Sequence, residues 1–173
     1  LLEEVVVTAH HLKLKKDESG INTSFFSLPN LFDNVPIDLG EKLRGHPGLS
    51  ISRTGQTGAL TQIRIRGAEA NHTLVLIDGI EVNDPATGNE YNFGNSTHLA
   101  IKSIEVVRGP MTSRYGSEAI GGLVAIETLN PTAQDNRATV YVATGSQNQK
   151  EISISAGLAN TTNVQAGLTV SAS

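Results

Sequence analysis

The chain has 173 residues, 38% of them hydrophobic and 17% charged, with 17 glycines, 4% aromatics, no cysteine and a formal net charge of −4 at neutral pH. That length can bury a core and fits one ordinary domain or a smaller domain with a piece of another, and the glycine-rich, aromatic-poor balance is that of a turn-rich β protein rather than a helical bundle. The negative balance gives no electrostatic reason to bind nucleic acid, and the missing cysteines remove disulfides, thiol nucleophiles, zinc–thiolate and iron–sulfur sites together.

No apolar run approaches the roughly 20 residues that a membrane-spanning helix needs, so a helical membrane protein is excluded and a β-barrel is not. The chain opens on Leu1 with no signal-peptide pattern, which fits a processed or trimmed chain. In "EEVVVTA", residues 3–9, three valines make a short extended run, and the polar "HHLKLKKDESG" behind it reads as a flexible lead ending at Gly20. Val35, Leu39 and Leu43 then recur at four-residue steps, with Pro36 near the start and Gly45 and Pro47 beyond the end. This predicts one amphipathic helix of about two to three turns.

"LSISR" and "TQIRIRG" alternate apolar and polar residues on either side of the glycine-rich "TGQTGAL", so two strands flank a loop. The second strand is expected to turn Ile63 and Ile65 to one face and Arg64 and Arg66 to the other. "TLVLIDGIEV" sets apolar runs around Asp78-Gly79, a pair suited to the positive φ angles of a two-residue type I′ turn, and predicts a tight hairpin. Leu74, Val75, Leu76 and Ile77 leave that strand no polar face, so it should be covered on both sides.

Residues 83–100, "NDPATGNEYNFGNSTHLA", are polar and long for a structureless connection, a type of loop that is usually functional or poorly ordered. "IKSIEVVRGP" is a strand closed by Gly109-Pro110, "MTSRYGSEAIGG" a short helical or turn segment, and "LVAIETLNP" a strand ended by Pro131. Beyond Pro131 the texture changes: "NRATVYVATG", "KEISISAGLA" and "NVQAGLTVSAS" are runs of about ten residues in which small and polar residues alternate with apolar ones. By pattern alone these are either the start of a transmembrane β-barrel, which three strands cannot close, or strands of a small soluble sheet.

Chemistry-bearing patterns are sparse. Neither "GQTG" nor "GSEAIGG" is a phosphate loop, and no serine, histidine and acid fall into a nucleophile elbow. His10 and His11 are adjacent, and His46, His72 and His98 have no partner at metal-ligand spacing. Asn83, Asp84, Asn89 and Glu90 supply hard oxygens that calcium accepts, although a solvated loop explains them more simply. Catalysis and a cofactor have no visible residue set.

"QIRIRGAEANHTLVLIDGIEVND" followed by "IKSIEVVRGPMTSRYGSEAIGGLVAIET" resembles the plug domain of TonB-dependent outer-membrane receptors, most of all the vitamin B12 (cobalamin) receptor branch, over most of residues 4–131. The resemblance implies an α+β plug, a small mixed β-sheet with short helices, followed by the first strands of a truncated transmembrane barrel. It divides the chain into a TonB box and lead (1–20), plug (21–131) and first barrel strands (132–173). It makes Glu4, Val5, Val6, Val7, Thr8 and Ala9 the candidate TonB box, an extended segment that the periplasmic TonB domain would capture through its backbone.

The same resemblance turns Arg64, Arg66 and Arg108 toward the barrel wall, which would supply acidic partners. It places Gln56, Thr57, Asn71, Tyr91, Asn92 and Phe93 on loops facing the substrate; Tyr91 and Phe93 would either stack on a ligand or pin their loop to the plug. The implied partners are TonB, the rest of the receptor barrel, outer-membrane lipid and a small-molecule ligand: cobalamin, an iron siderophore or haem. A soluble exported binding or adhesion module is the alternative, with the three last strands completing a small sheet.

Overall fold

A computed structural model describes residues 22–27, 39–56, 58–96, 101–128, 137–144, 150–159 and 165–172. Among these residues ten strands fall in chain order: β1 (Asn22–Ser27), β2 (Leu49–Arg53), β3 (Thr61–Ile65), β4 (Thr73–Ile77), β5 (Ile80–Glu81), β6 (Ile101–Arg108), β7 (Gly122–Thr128), β8 (Arg137–Thr144), β9 (Lys150–Ala159) and β10 (Gln165–Ala172). The same described residues hold two short α-helices, α1 (Leu39–Leu43) and α2 (Thr112–Tyr115).

The strands form three sheets: five strands in the order β1-β6-β7-β4-β5, the two-stranded hairpin β2-β3, and three strands in the order β10-β9-β8. The five-stranded sheet is mixed, because β4 and β7 run parallel while every other pair is antiparallel. One face packs Val75, Ile104, Val106, Val124 and Ile126 against Ile63 and Ile65 of the hairpin, Leu39 and Leu43 of α1, and Phe93. On the opposite face Leu74, Leu76, Val107 and Leu123 lie under Met111 and Ala119, with Tyr115 of α2 half-buried beside them. Successive residues of β4 therefore enter opposite cores. The four-residue apolar run requires this, since a strand with no polar face must be covered twice.

Asp78 (φ 50°) and Gly79 (φ 82°) take the two positive φ angles of a type I′ turn, and Ile77 pairs with Ile80 across it. The expected strands at 49–53 and 61–65 pair antiparallel with Leu49 opposite Ile65. The helix is shorter in the described residues than the periodicity suggests: Leu39 and Leu43 are buried as expected, while Val35 and Pro36 lie outside the described residues. Residues 83–96 also depart from expectation, because they are folded rather than structureless. Two 3₁₀ turns, Pro85–Thr87 and Phe93–Asn95, are each opened by an Asx side chain that accepts a backbone N–H two residues on, Asp84 from Ala86 and Asn92 from Gly94.

Arg66 is a correction. The alternating pattern carries it into the strand beside Arg64, but β3 ends at Ile65 and Arg66 adopts φ 53°, turning the chain out of the sheet as its N–H donates to the Gly48 carbonyl. Period-two patterning cannot register such a turn, because Arg66 is polar in either position.

β8, β9 and β10 pair antiparallel with one another, and among the described strands they join neither of the other sheets. Val142 on β8 is 65% exposed, an apolar side chain with no cover.

Candidate functional site

The hairpin β2-β3 lies across one face of the five-stranded sheet, and the residues singled out by sequence gather at its two ends. A five-residue strand spans about 17 Å. The loop before Thr61 and the loop after Ile65 are therefore separate surfaces.

At the Thr61 end, loop 54–60 meets loop 91–96. The Asn92 side-chain oxygen accepts hydrogen bonds from the Thr61 amide (2.9 Å) and the Gly94 amide (3.0 Å), which stitches the two loops together. Gly94 is required here, since a Cβ at that position would collide with the Ala59 carbonyl oxygen. Tyr91 meets Phe93 edge-on, ring centroids 4.8 Å apart, and its hydroxyl lies 2.8 Å from Ser96 Oγ.

Phe93 is 1% exposed and belongs to the main core, so of the two roles open to it the structure gives the anchoring one; it does not face outward for a ligand. Tyr91 is half-buried against the same core, Asn92 is engaged in bridging the loops, and Gln56 is exposed. Thr57 lies outside the described residues. Asn71 does not join this group. It sits in the 3₁₀ turn Ala70–His72, beyond the far end of β3, with its side-chain oxygen buried and without a hydrogen bond.

The proposed calcium ligands have other work. Asn83 Oδ1 accepts from the Val75 amide (2.8 Å), and Asn83 Nδ2 donates to the carbonyls of Thr73 (3.1 Å) and Asn89 (2.9 Å). A side-chain amide thus continues the pairing of β4 where the two-residue β5 stops. Asp84 pairs with Glu90 in a backbone bridge, the Gln62 amide donates to Glu90, and the Asn89 amide donates to Glu118. Among the described residues no group of three or more histidines or acids could hold a metal ion.

The Ile65 end is basic. Arg108, the last residue of β6, is only 7% exposed, and its Nη1 donates to Asn22 Oδ1 (3.2 Å) and Ser24 Oγ (2.8 Å) on β1, while its buried Nε makes no hydrogen bond. Gly48 lies over its stem: a Cβ there would come 3.2 Å from both Cδ and Nε of Arg108 and 3.8 Å from Cγ of Arg66. Burial and then the nearby Arg66 guanidinium lower the Arg108 pKa below its ordinary value. An arginine stays protonated nonetheless, so the strain cannot be relieved by losing a proton and calls for an anion.

Half-buried Arg64 donates to Gln62 Oε1 (3.5 Å), and among the described residues its buried Nε has no hydrogen-bond partner. Among the described residues none of Arg64, Arg66 and Arg108 has a carboxylate within ion-pair distance, whereas Arg44 and Arg53 share Glu41 and Lys102 takes Glu127. Glu4, Val5, Val6, Val7, Thr8 and Ala9 lie outside the described residues.

The described residues thus form a mixed five-stranded sheet with a hairpin across it and three arginines that have no carboxylate in reach among them, followed by a separate antiparallel sheet. Residues 15–123 match the family model described as TonB-dependent Receptor Plug Domain. The chain is 34% identical over 157 residues to the vitamin B12 transporter BtuB of Vibrio cholerae serotype O1, covering 91% of this chain and 25% of that protein; a Vibrio vulnificus BtuB is 35% identical over 76% of this chain and 21% of its own length. The chain belongs to the TonB-dependent receptor plug domain family, and it spans about a quarter of the length of the curated relatives it matches.

Solved structures agree on the fold. The siderophore receptor PirA of Acinetobacter baumannii superposes with TM-score 0.63 at 26% identity, covering 86% of this chain and 24% of that one. FpvA of P. aeruginosa, in a pyoverdine–iron complex, gives TM-score 0.76 at 21% identity, over 95% of this chain and 21% of its own.

Proposed function

We propose that the chain is the plug and the first barrel strands of an outer-membrane receptor that imports a scarce nutrient, with cobalamin the first candidate and an iron siderophore or haem after it. The observation that carries this reading is the 34% identity to a vitamin B12 transporter along 91% of the chain. The unneutralised Arg64, Arg66 and Arg108 support it, because a surrounding barrel wall would supply the missing carboxylates.

Ligand arriving from outside meets the loops that Asn92 stitches together, with Gln56 exposed there among the described residues and the half-buried Tyr91 beside it. For binding to signal at all, ligand must favour one plug state over another. The segment Glu4, Val5, Val6, Val7, Thr8 and Ala9 then serves as the TonB box, pairing as an edge strand with the periplasmic TonB domain, which draws on the inner-membrane proton gradient. No catalytic step is required. Among the described strands β8, β9 and β10 do not extend the five-stranded sheet, which supports reading them as barrel strands rather than as a completion of that sheet.

The test uses the full-length protein in membranes. Labelled cobalamin should bind at the surface and enter cells only when TonB is present, and Val6→Pro, which removes a backbone donor from the TonB box, should abolish capture of the TonB periplasmic domain. Capture unchanged by Val6→Pro would sink the assignment of the box.

A further inference from the structure

We infer that Arg108 is a charge-sensitive latch on β1: one guanidinium nitrogen grips the strand, and the neutralisation of the Arg66–Arg108 pair sets how firmly it does so. Among the described strands β1 is at the edge of its sheet, pairing with β6 alone, and its Phe25 is 42% exposed. Asn22 stands directly opposite Arg108 in the register and Ser24 two residues further along, so both acceptors lie on the face of β1 that Arg108 reaches. Nη1 holds the two together at 3.2 and 2.8 Å. Of the six paired positions of β1, the latch thus holds two, Asn22 at the start of the strand and Ser24.

The other side of the same guanidinium is unbalanced. Nε is buried and unpartnered, and the stem of Arg66 lies alongside at Gly48, whose missing side chain leaves room for both arginines. Two cations side by side repel, and the bonds to Asn22 and Ser24 oppose that repulsion. An anion placed against the pair relieves the repulsion and tightens the grip on β1; withdrawing it loosens the end of the strand held at Asn22 and Ser24, away from Phe26, which packs against the core. The source of that anion, and the lead as the place where a pull is applied, rest on the function proposed above. The latch itself rests only on bonds within this chain.

The test is amide hydrogen exchange across β1 in the full-length protein in detergent or nanodiscs. Replacing Asn22 and Ser24 together by alanine should speed exchange of the β1 amides by about tenfold or more, the loss expected for hydrogen bonds to a charged group, while β4 and β7 amides stay as slow as in the parent. Arg66→Gln, which keeps the stem and leaves Arg108 the one cation of the pair for any surrounding anion, should slow β1 exchange by about threefold, the size of a partly screened charge interaction. If the double variant does not assemble, Arg108→Lys keeps the charge but cannot span both acceptors, and should speed β1 in the same way.

Exchange at β1 that ignores the loss of both acceptors, or that accelerates or stays constant in Arg66→Gln, overturns the latch. Capture of the TonB domain is measured on the same samples. Its absence alongside the expected exchange pattern overturns the transport reading and leaves the latch standing.

Discussion

Asn83 commits its oxygen to the Val75 amide and its nitrogen to the carbonyls of Thr73 and Asn89, in a site where it is 8% exposed. The Val75 amide and Thr73 carbonyl are β4 groups that the shortness of β5 leaves open, and an open buried group is costly. Asn83→Asp presents a carboxylate to two carbonyl oxygens where donors stood, and should lower stability by about 2–4 kcal/mol in denaturant unfolding of the full-length protein. The parent's melting temperature should not respond to calcium or to a chelator. A rise with calcium would restore the metal-ligand reading of Asn83, Asp84, Asn89 and Glu90. Reading the loop from its residue types alone could not separate these roles, because the same oxygens serve a cation and a backbone amide.

At the scale of an element, the β4–β5 hairpin does more than reverse the chain. Asp78 Oδ1 accepts from the Thr128 amide (2.8 Å) and Oδ2 from the Thr128 hydroxyl (2.6 Å), and the Asp78 amide donates to Ile126. The turn therefore fastens the end of β7, the strand from which the chain leaves the five-stranded sheet. Asp78→Asn keeps a side chain that tolerates positive φ and an oxygen for the Thr128 amide, while Asp78→Ala loses both bonds and keeps the strained backbone. The alanine variant should lose about 1–3 kcal/mol more than the asparagine variant in thermal or denaturant unfolding, with the largest rise in hydrogen exchange at Thr128. Equal losses in the two variants would mean that the clamp contributes nothing.

At the scale of the whole molecule, the three-stranded sheet leaves one edge of β8 and one of β10 unpaired among the described strands, and Val142 stands in the open. Open edges and uncovered apolar side chains recruit other chains. The 173-residue chain on its own should therefore associate in the absence of detergent, and removing residues 132–173 should shift light scattering toward a monomer. A monomeric 173-residue chain in plain buffer would mean that the last three strands need no further partners.

Much of this architecture is legible in the order of the residues. The Asp78-Gly79 turn, the doubly covered run from Leu74 to Ile77, the hairpin of alternating strands and the three terminal strands follow from periodicity and turn chemistry, which are local properties. The turn at Arg66 was not legible, because positive-φ positions are decided by what packs around them. Neither were the roles of Phe93 and Asn92, which depend on loops about thirty residues apart meeting at Thr61. Sequence alone determined most of the segments that become strands, though not β1, whose NTSFFS carries no strand signal of its own, and which residues of β3 enter the core. Only the tertiary structure decided that Arg108 bends back to hold β1 and stands beside Arg66 with no carboxylate in reach among the described residues, because which charges become neighbours is fixed by long-range packing and not by spacing along the chain.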